Sequence, residues 1–402
     1  MSSPVKKAQS PEPQSPQQQQ KAKTPEPTSP QKAVEAKSPT PAPAPAPASP
    51  QSPQSPASAT AAAAVASDPS NSALPGTHWT QQGLPREDND SDSTLGSDVE
   101  SSTASISSSI LNYRTLNGRT YHSDSVANNE YWAPNDPKHM EALEVLYHAL
   151  DLARGGLHLA PLKDDIENAV DIGTGSGLWA IDFADRYPNC NVIGTDISPI
   201  QPSWVPPNLR FEIDDATKEW TFKEDFFDFV HIMFLNGCCG NWTDIYKEAY
   251  RCCKPGGWIE HYDVSPLVLS DDGTVLEGSA MDQYGKVFRE AGKRVGIDTC
   301  TADNGTMENG MKEAGFVNVQ IKDIKLPISP WPKDPKQKEI GLYTYATMTT
   351  DVEGLVQFMY SNVMGWSKEE VAVYAAHMRR ELKDMKIHGY FNWKVVYAQK
   401  PE

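Results

Sequence analysis

The sequence predicts an α/β fold: a seven-stranded, mostly parallel sheet with helices on both faces, preceded by a disordered tail. Three observations carry this. Aromatic residues are confined to one side of the chain, apolar strand-like runs alternate with helix-like segments beyond residue 168, and a glycine-rich turn follows the first of those runs.

The chain has 402 residues and a formal net charge of −17. Residues 1–60 hold 15 of the 33 prolines and no aromatic residue, and the first aromatic is Trp79. Such a stretch lacks the apolar surface needed to offset chain entropy. Residues 1–110 are therefore expected to be a disordered Pro/Ser/Gln-rich tail, which leaves one large domain over 111–402. Ten Ser-Pro or Thr-Pro dipeptides lie between Ser3 and Pro56. Each is a minimal target for a proline-directed kinase, and phosphorylation would turn a segment of charge +3 negative. A solvated tail that serves only solubility is the simpler alternative.

Residues 111–402 carry −14. A domain of that charge repels phosphate backbones, so direct nucleic-acid binding is not expected. Six cysteines form no C-x-x-C pair, with Cys238-Cys239 and Cys252-Cys253 adjacent. Neither a zinc site nor a disulfide framework follows, and reduced thiols in an intracellular protein are expected. No apolar run reaches the ~18 residues of a membrane span. The polar N-terminus lacks the apolar core of a secretion signal. The scattered lysines of the tail allow nuclear import without requiring it, so nucleus and cytoplasm both stay open.

Met140, Leu143, Leu146, Leu150 and Ala153 recur at helical spacing, with Pro137 before them and Gly155-Gly156 after, so a helix is expected over about 137–154. Strands are expected at 169–173, 191–196, 209–214, 227–234 and 257–263, with helices at 177–186, 242–253 and 279–295. That alternation is the signature of βαβ units and a parallel sheet covered on both faces. Two more strands, 316–324 and 393–400, close the chain. Between them, 327–388 reads as a helical insertion.

The chemistry sits in Val170-Asp171-Ile172-Gly173-Thr174-Gly175-Ser176-Gly177. Glycines at 173, 175 and 177 between a strand and a helix allow a tight turn and close approach of a ligand. The spacing is neither the G-x-G-x-x-G dinucleotide fingerprint nor a phosphate-gripping P-loop. Asp196 ends the second strand, where an acid can accept both ribose hydroxyls. Asp215 follows the third, placed to accept from an adenine amino group. Each acid alone reads as a solvated turn or cap residue. Together they point to an adenosine ligand without a pyrophosphate. S-adenosylmethionine fits, with Asp171 beside its cationic amino group.

The stretch from Val170 through "GTDISPIQPSWVPPN" to Asp215 resembles the fungal LaeA-type methyltransferases, a branch of the class I S-adenosylmethionine-dependent superfamily. The resemblance continues through "FDFVHIMFLNGCCGNW", "CCKPGGWIEHYDV", "WPKDPKQKEIG" and the closing "HGYFNWKVVYAQKP", with "RTYH" and "YWAPND" upstream. It covers about 113–402 and leaves the tail out. It implies a Rossmann-like class I methyltransferase domain: a lid and helix over 113–156, a cofactor core over 168–264 and the insertion at 327–388. It also implies cofactor roles for Asp171, Gly173, Gly175, Gly177, Asp196 and Asp215. The family often carries an Arg two positions after the His of its fourth strand, where this chain has Met233.

Methyl transfer from a sulfonium is an in-line displacement that positioning alone can accelerate strongly. A general base is needed only for an acceptor that must lose a proton. His231 and His261, near the carboxyl edge of the sheet, are the candidate bases, with Glu260 and Asp263 as alternatives. A histidine satisfied within the core is the simpler reading for each. Tyr121, His122, Tyr131 and Trp132 are candidates for a lid that excludes water. No Asn/Asp-Pro-Pro-aromatic segment or Pro-Cys pair is present, which argues against methylation of adenine amino groups or cytosine carbon. The resemblance implies a regulator of secondary metabolism and development acting with velvet-type proteins. A tailoring enzyme for a small natural product is the alternative, and a non-catalytic scaffold the third reading.

Overall fold

The protein's structure, a computed structural model, describes residues 72–85, 109–127 and 131–402. The N-terminal part comprises helix α1 (Gly76–Gln82), a hairpin of β1 (Arg114–Leu116) and β2 (Arg119–Tyr121), and helix α2 (Pro137–Arg154). The alternating core follows: β3 (Asn168–Ile172), α3 (Leu178–Arg186), β4 (Asn191–Asp196), β5 (Leu209–Ile213), β6 (Phe227–Met233), α4 (Trp242–Cys252) and β7 (Cys253–Leu269). Then come α5 (Ala280–Val295), α6 (Thr306–Ala314) and β8 (Val317–Pro327). Last are α7 (Pro335–Thr350), α8 (Val352–Gln357), a π-helical turn (Phe358–Val363), α9 (Lys368–Lys383) and β9 (Tyr390–Gln399).

The seven strands lie in the order β5-β4-β3-β6-β7-β9-β8. All pairings from β5 through β7 are parallel, while β9 runs antiparallel to both its neighbours. The chain order reverses between β3 and β6. In an open α/β sheet, ligands bind outside the carboxyl ends of the strands at such a switch point.

Both sheet faces are covered, and side chains alternate between them. Ala169, Val192 and Phe229 pack with Trp179 and Phe183 of α3 on one face. Val170, Ile193, Val230 and Ile259 pack with Trp242, Ile245 and Tyr246 of α4 on the other. Each valine, isoleucine or phenylalanine among them, fully buried, stabilises the fold by roughly 1.5–3 kcal/mol. The helix ends are capped by the residues that sequence would choose. Asp136 accepts from the His139 N–H ahead of α2, and Gly155 closes that helix in the left-handed region with φ 90°. Ser279 caps α5, and Ser367 with Glu370 forms a full capping box on α9.

The expected strands and the helices α2 to α5 are present to within a few residues. The segment between β8 and β9 is helical as expected, and α7 lies against α2. Two local differences stand out. α6 was not expected: it is short, begins and ends at left-handed glycines, and carries a glycine inside.

The second is a correction to the tail. Residues 72–85 fall within the stretch expected to be disordered, yet they form α1 and dock on α9. Trp79 is buried edge-on against Tyr374, His377 Nε2 meets the Gly83 carbonyl at 2.9 Å, and the Leu74 N–H donates to Gln283 Oε1 at 2.7 Å. One aromatic side chain can hold a short segment that composition averages away. The kinase sites between Ser3 and Pro56 lie outside the described residues. Trp79→Ala is expected to lower stability by about 3 kcal/mol, read as a shift in the denaturant midpoint. An unchanged midpoint would mean that α1 is not held in this position.

Candidate active site

The turn after β3 is built by three left-handed glycines: Gly173 (φ 70°), Gly175 (φ 58°) and Gly177 (φ 83°). They do different work. A Cβ on Gly177 would overlap the Phe211 ring, and one on Gly173 would meet Leu235 Cδ1 at 2.6 Å. A Cβ on Gly175 meets nothing within 4 Å, because Gly175 faces a cavity of about 160 Å³ over the carboxyl ends of β3, β4 and β6. Gly173 and Gly175 line that cavity, while Gly177 sits behind it as the residue preceding α3. Gly175→Ala is therefore expected to cost only about 1 kcal/mol of stability while weakening cofactor binding more than tenfold. Gly177→Ala adds a clash to the same backbone strain and should lower the melting temperature more. Thermal unfolding with and without S-adenosylhomocysteine separates the two. Equal effects of both variants on melting would contradict the division.

All three predicted acids reach the cavity wall. Asp196 accepts from the Gly175 and Ser198 N–H groups, both at 2.9 Å. Burial pushes its carboxyl up to about 6, against the pull of those donors. Asp215 accepts on Oδ1 from the Thr217 N–H and hydroxyl, at 3.0 and 2.7 Å. Its buried Oδ2 has no hydrogen-bond partner among the described residues. A buried acceptor left without a partner suits a donor such as a nucleobase amino group. Asp171 accepts from the Thr174 hydroxyl at 2.6 Å and from His231 Nδ1 at 2.8 Å. Burial pushes it up to about 7, although Thr174 favours the ionised form.

Neither histidine is among the residues that line the cavity, so the geometry lends no support to the expectation that they act as bases. Register explains both. Asp171, His231 and Glu260 are neighbours across β3, β6 and β7 and share one face, which α3 covers. His231 is fully buried there, its ring stacked 3.6 Å from that of Trp179. Arg154 Nη1 approaches His231 Nε2 at 3.4 Å, so Nε2 accepts and Nδ1 donates to Asp171. Burial first, and Arg154 second, hold His231 well below the usual histidine range. It is a neutral donor that fixes Asp171. Arg154 also reaches Glu260 Oε1 at 3.4 Å, and Glu260 Oε2 accepts from the Leu159 and Ala160 N–H groups. Glu260 is thus held in the core. His261, one residue along, faces the opposite side with Ile232. There it is fixed between the Tyr246 hydroxyl at 2.8 Å and Asp263 Oδ2 at 3.0 Å.

Of the lid candidates, His122 and Tyr131 line the cavity, Tyr121 is fully buried beneath, and Trp132 turns toward a second cavity. Residues not singled out from sequence complete the wall, Asn135, Trp179, Ser198 and Phe234, joined by Met233 and Cys238. Asn135 Nδ2 donates to Ser198 Oγ at 3.2 Å and leaves a buried Oδ1 without a partner among the described residues. Asn135 lies in the "YWAPND" motif, the one sequence signal for it. Among the described residues, no cluster of three or more His, Cys, Asp or Glu is placed to hold a metal ion, and no helix is long and apolar enough to cross a membrane.

A glycine turn at the switch point, an acid for a ribose, an orphaned acceptor for a nucleobase and a third carboxylate for a cation define a class I S-adenosylmethionine-dependent methyltransferase. A family profile described as a methyltransferase domain matches residues 145–321. The chain is 35% identical over 306 residues to the methyltransferase pytC of Aspergillus terreus, covering 76% of this chain and 93% of that protein. It is 33% identical over 293 residues to the secondary metabolism regulator LAE1 of Cochliobolus heterostrophus, covering 71% of this chain and 94% of that one. It is 27% identical over 288 residues to the protein-methionine methyltransferase laeA of Emericella nidulans, covering 71% and 76%. The chain belongs to the LaeA-type methyltransferase family.

S-adenosylmethionine brings a methyl group already activated by its sulfonium, and the chain's own residues hold it. Ionised Asp196 would accept from ribose and ionised Asp171 would face the ammonium group, so binding would favour the deprotonated acids. With burial pushing the two carboxyls up to about 6 and about 7, affinity is expected to rise with pH up to about 8, with protons released on binding. A fall on the order of a hundredfold from pH 8 to pH 5.5 is expected, measured calorimetrically with S-adenosylhomocysteine in buffers of different ionisation heat. A flat profile would contradict the assignment. Without ligand the sign reverses. Both folded-state values lie above the unfolded one, so these groups lower stability as pH rises from about 4 to 7.

Proposed function

We propose that this methyltransferase regulates fungal secondary metabolism and development, acting with velvet-type protein partners. The observation that carries the reading is its similarity to LAE1 across 94% of that regulator, combined with an intact cofactor wall. The family resemblance supports the velvet-type partners. The name of the Emericella nidulans relative favours a protein thioether as the methyl acceptor. The site agrees with that chemistry. A thioether sulfur has no proton to lose, so its methylation needs neither His231 nor His261 as a base.

The test is a deletion strain complemented by wild-type chain or by Asp196→Ala. Restored metabolite output with the wild type alone, and co-purification of a velvet-type protein, support regulation through methyl transfer. An unchanged metabolite profile on deletion, with no such partner recovered, would overturn it.

A second reading is favoured by the 35% identity to pytC: a tailoring enzyme acting on a small natural product. Transfer of labelled methyl in cell extract separates the two. Label in the protein fraction favours the regulator, and label in the small-molecule fraction favours tailoring.

A further inference from the structure

Arg154 is a fully buried cation at the end of α2. Its Nε donates to the Gly156 carbonyl at 2.6 Å, and the guanidinium lies 5.3 Å from the centre of the Tyr262 ring. Nη1 reaches Glu260 Oε1 at 3.4 Å, long for an ion pair. Glu260 makes its closer bonds elsewhere, with Oε2 accepting from the Leu159 and Ala160 N–H groups at 2.7 and 2.8 Å. A buried pair of such geometry adds little to stability, so the other contact of Nη1 is the informative one.

That contact is His231 Nε2, at 3.4 Å. A guanidinium carries donors only, so Nε2 offers its lone pair and the ring proton sits on Nδ1, donated to Asp171 Oδ1 at 2.8 Å. An imidazole takes its second proton on the nitrogen still bare, and that nitrogen is the one Arg154 covers. Asp171 is engaged on both oxygens, Oδ1 by His231 and Oδ2 by the Thr174 hydroxyl at 2.6 Å. Two groups in such contact take up and lose protons as a pair. Arg154 opposes proton uptake by that pair from the His231 side.

The titratable and charged groups around His231 are Asp171 of β3, Glu260 and His261 of β7, Arg154 of α2 and His158 of the segment after it. The helix that covers the ring, α3, contributes Trp179, which carries no charge. Of the two carboxylates, Glu260 is already held by Arg154 and two N–H groups, which leaves Asp171 as the one that meets the imidazole. Beside a neutral imidazole a carboxylate keeps its full charge, whereas an imidazolium would neutralise it. Asp171 lines the cofactor cavity and His231 does not. The state of the hidden ring therefore sets the charge that a ligand meets.

We propose that Arg154 is a positioning residue for the cofactor: by covering His231 Nε2 it keeps the imidazole neutral, so that Asp171 presents a full negative charge to the ammonium group of the methionine part. Arg154 does not line the cavity and acts through His231. Burial works in the same direction as Arg154 on the ring. This role rests on Asp171 meeting the ammonium group. It extends the cofactor site to the end of α2, the helix whose Met140, Leu143 and Leu146 line the same cavity.

The test uses the full chain and two ligands, S-adenosylhomocysteine and methylthioadenosine, which keeps the adenosine but has no ammonium group. Arg154→Met combined with Glu260→Gln removes the cation and its carboxylate partner together, so neither stays buried alone. Calorimetry across about pH 6 to 9 should show the rise of S-adenosylhomocysteine affinity displaced upward by about one pH unit, because the pair keeps its proton to higher pH. At pH 7 that displacement is about fivefold weaker binding. Methylthioadenosine affinity should stay within about twofold of wild type throughout. Arg154→Lys, which keeps the charge, should move the profile less than half as far. Nitrogen NMR of histidine-labelled chain gives a second readout, with His231 assigned by its loss in His231→Asn. Wild type should show Nδ1 protonated and Nε2 bare down to about pH 6, and the double variant an imidazolium. An imidazolium in wild type at pH 7, an unmoved profile in the double variant, or equal weakening of both ligands would overturn the proposal. The wild-type spectrum decides even where the double variant does not fold. Asp171→Asn separates the two readings. Unchanged S-adenosylhomocysteine affinity in that variant refutes the ammonium assignment. Weaker binding there, with the double variant's profile unmoved, refutes the role of Arg154 alone.

Discussion

Asp196→Ala should weaken S-adenosylmethionine binding by two orders of magnitude or more while the protein remains folded. The carboxylate is a hub. It takes the Gly175 N–H that shapes the glycine turn and the Ser198 N–H that orders the segment after β4. Asp196 also lines the cavity, where ribose hydroxyls would donate to it. Hydrogen bonds to a charged group contribute about 1.5–3 kcal/mol each. Loss of two such bonds, with two N–H groups left unpaired, gives the expected magnitude. Asp196→Asn keeps the shape and retains one acceptor oxygen, so it should fall in between. Asp215→Ala removes a single acceptor from the nucleobase end and should cost about tenfold. Calorimetry with S-adenosylhomocysteine reads all three. An Asp196→Ala variant that binds within threefold of wild type would refute the ribose assignment.

The cofactor wall was legible from sequence because its parts are local. A strand, a glycine turn and an acid at the next strand's end are fixed by short-range spacing. β4 matches its expected span residue for residue, and Asp171, Asp196 and Asp215 all reach the cavity. The roles of His231 and His261 were not legible, for a reason of register. Spacing along β6 and β7 shows that side chains alternate, but not which alternate meets the cavity. That depends on which residues stand side by side across the sheet, and here His231 falls beneath Trp179 while His261 falls against Trp242. Arg154 at the end of α2 was equally hidden, because its contact with His231 spans 77 positions. The second cavity draws on seven or more elements and has no sequence motif. α1 shows the converse. Trp79 is the sole aromatic residue before Tyr113, and the average composition around it concealed its anchoring role.

The largest stability effect is expected at Asp351. Arg119 of β2 donates through Nη1 and Nη2 to both Asp351 oxygens at 2.8 Å, and through Nε and Nη2 to Asp136 at 2.6 and 2.8 Å. His139 Nδ1 lies 3.0 Å from Asp351 Oδ2, and the Gly354 N–H donates to Oδ1 as the cap of α8. One carboxylate thus ties the hairpin, the start of α2 and the insertion together, and those elements close both cavities. Burial pushes Asp351 up, but His139 and Arg119 outweigh it and hold the carboxyl well below the usual range. Removing one partner of a buried ion pair costs about 3–5 kcal/mol, and the lower end applies here because Arg119 keeps Asp136. Asp351→Ala should therefore lower the melting temperature by roughly 10 °C. Cofactor affinity should drop with it, since Asn135 of the cavity wall adjoins Asp136, which shares Arg119 with Asp351. The pH signature is specific. A carboxyl depressed in the folded state contributes stability above its unfolded value near 4, and that contribution fades as pH falls below 4. Wild type and variant should differ most at neutral pH and converge in acid. A gap that stays constant from pH 7 to pH 2 would show that Asp351 acts through packing rather than through its charge.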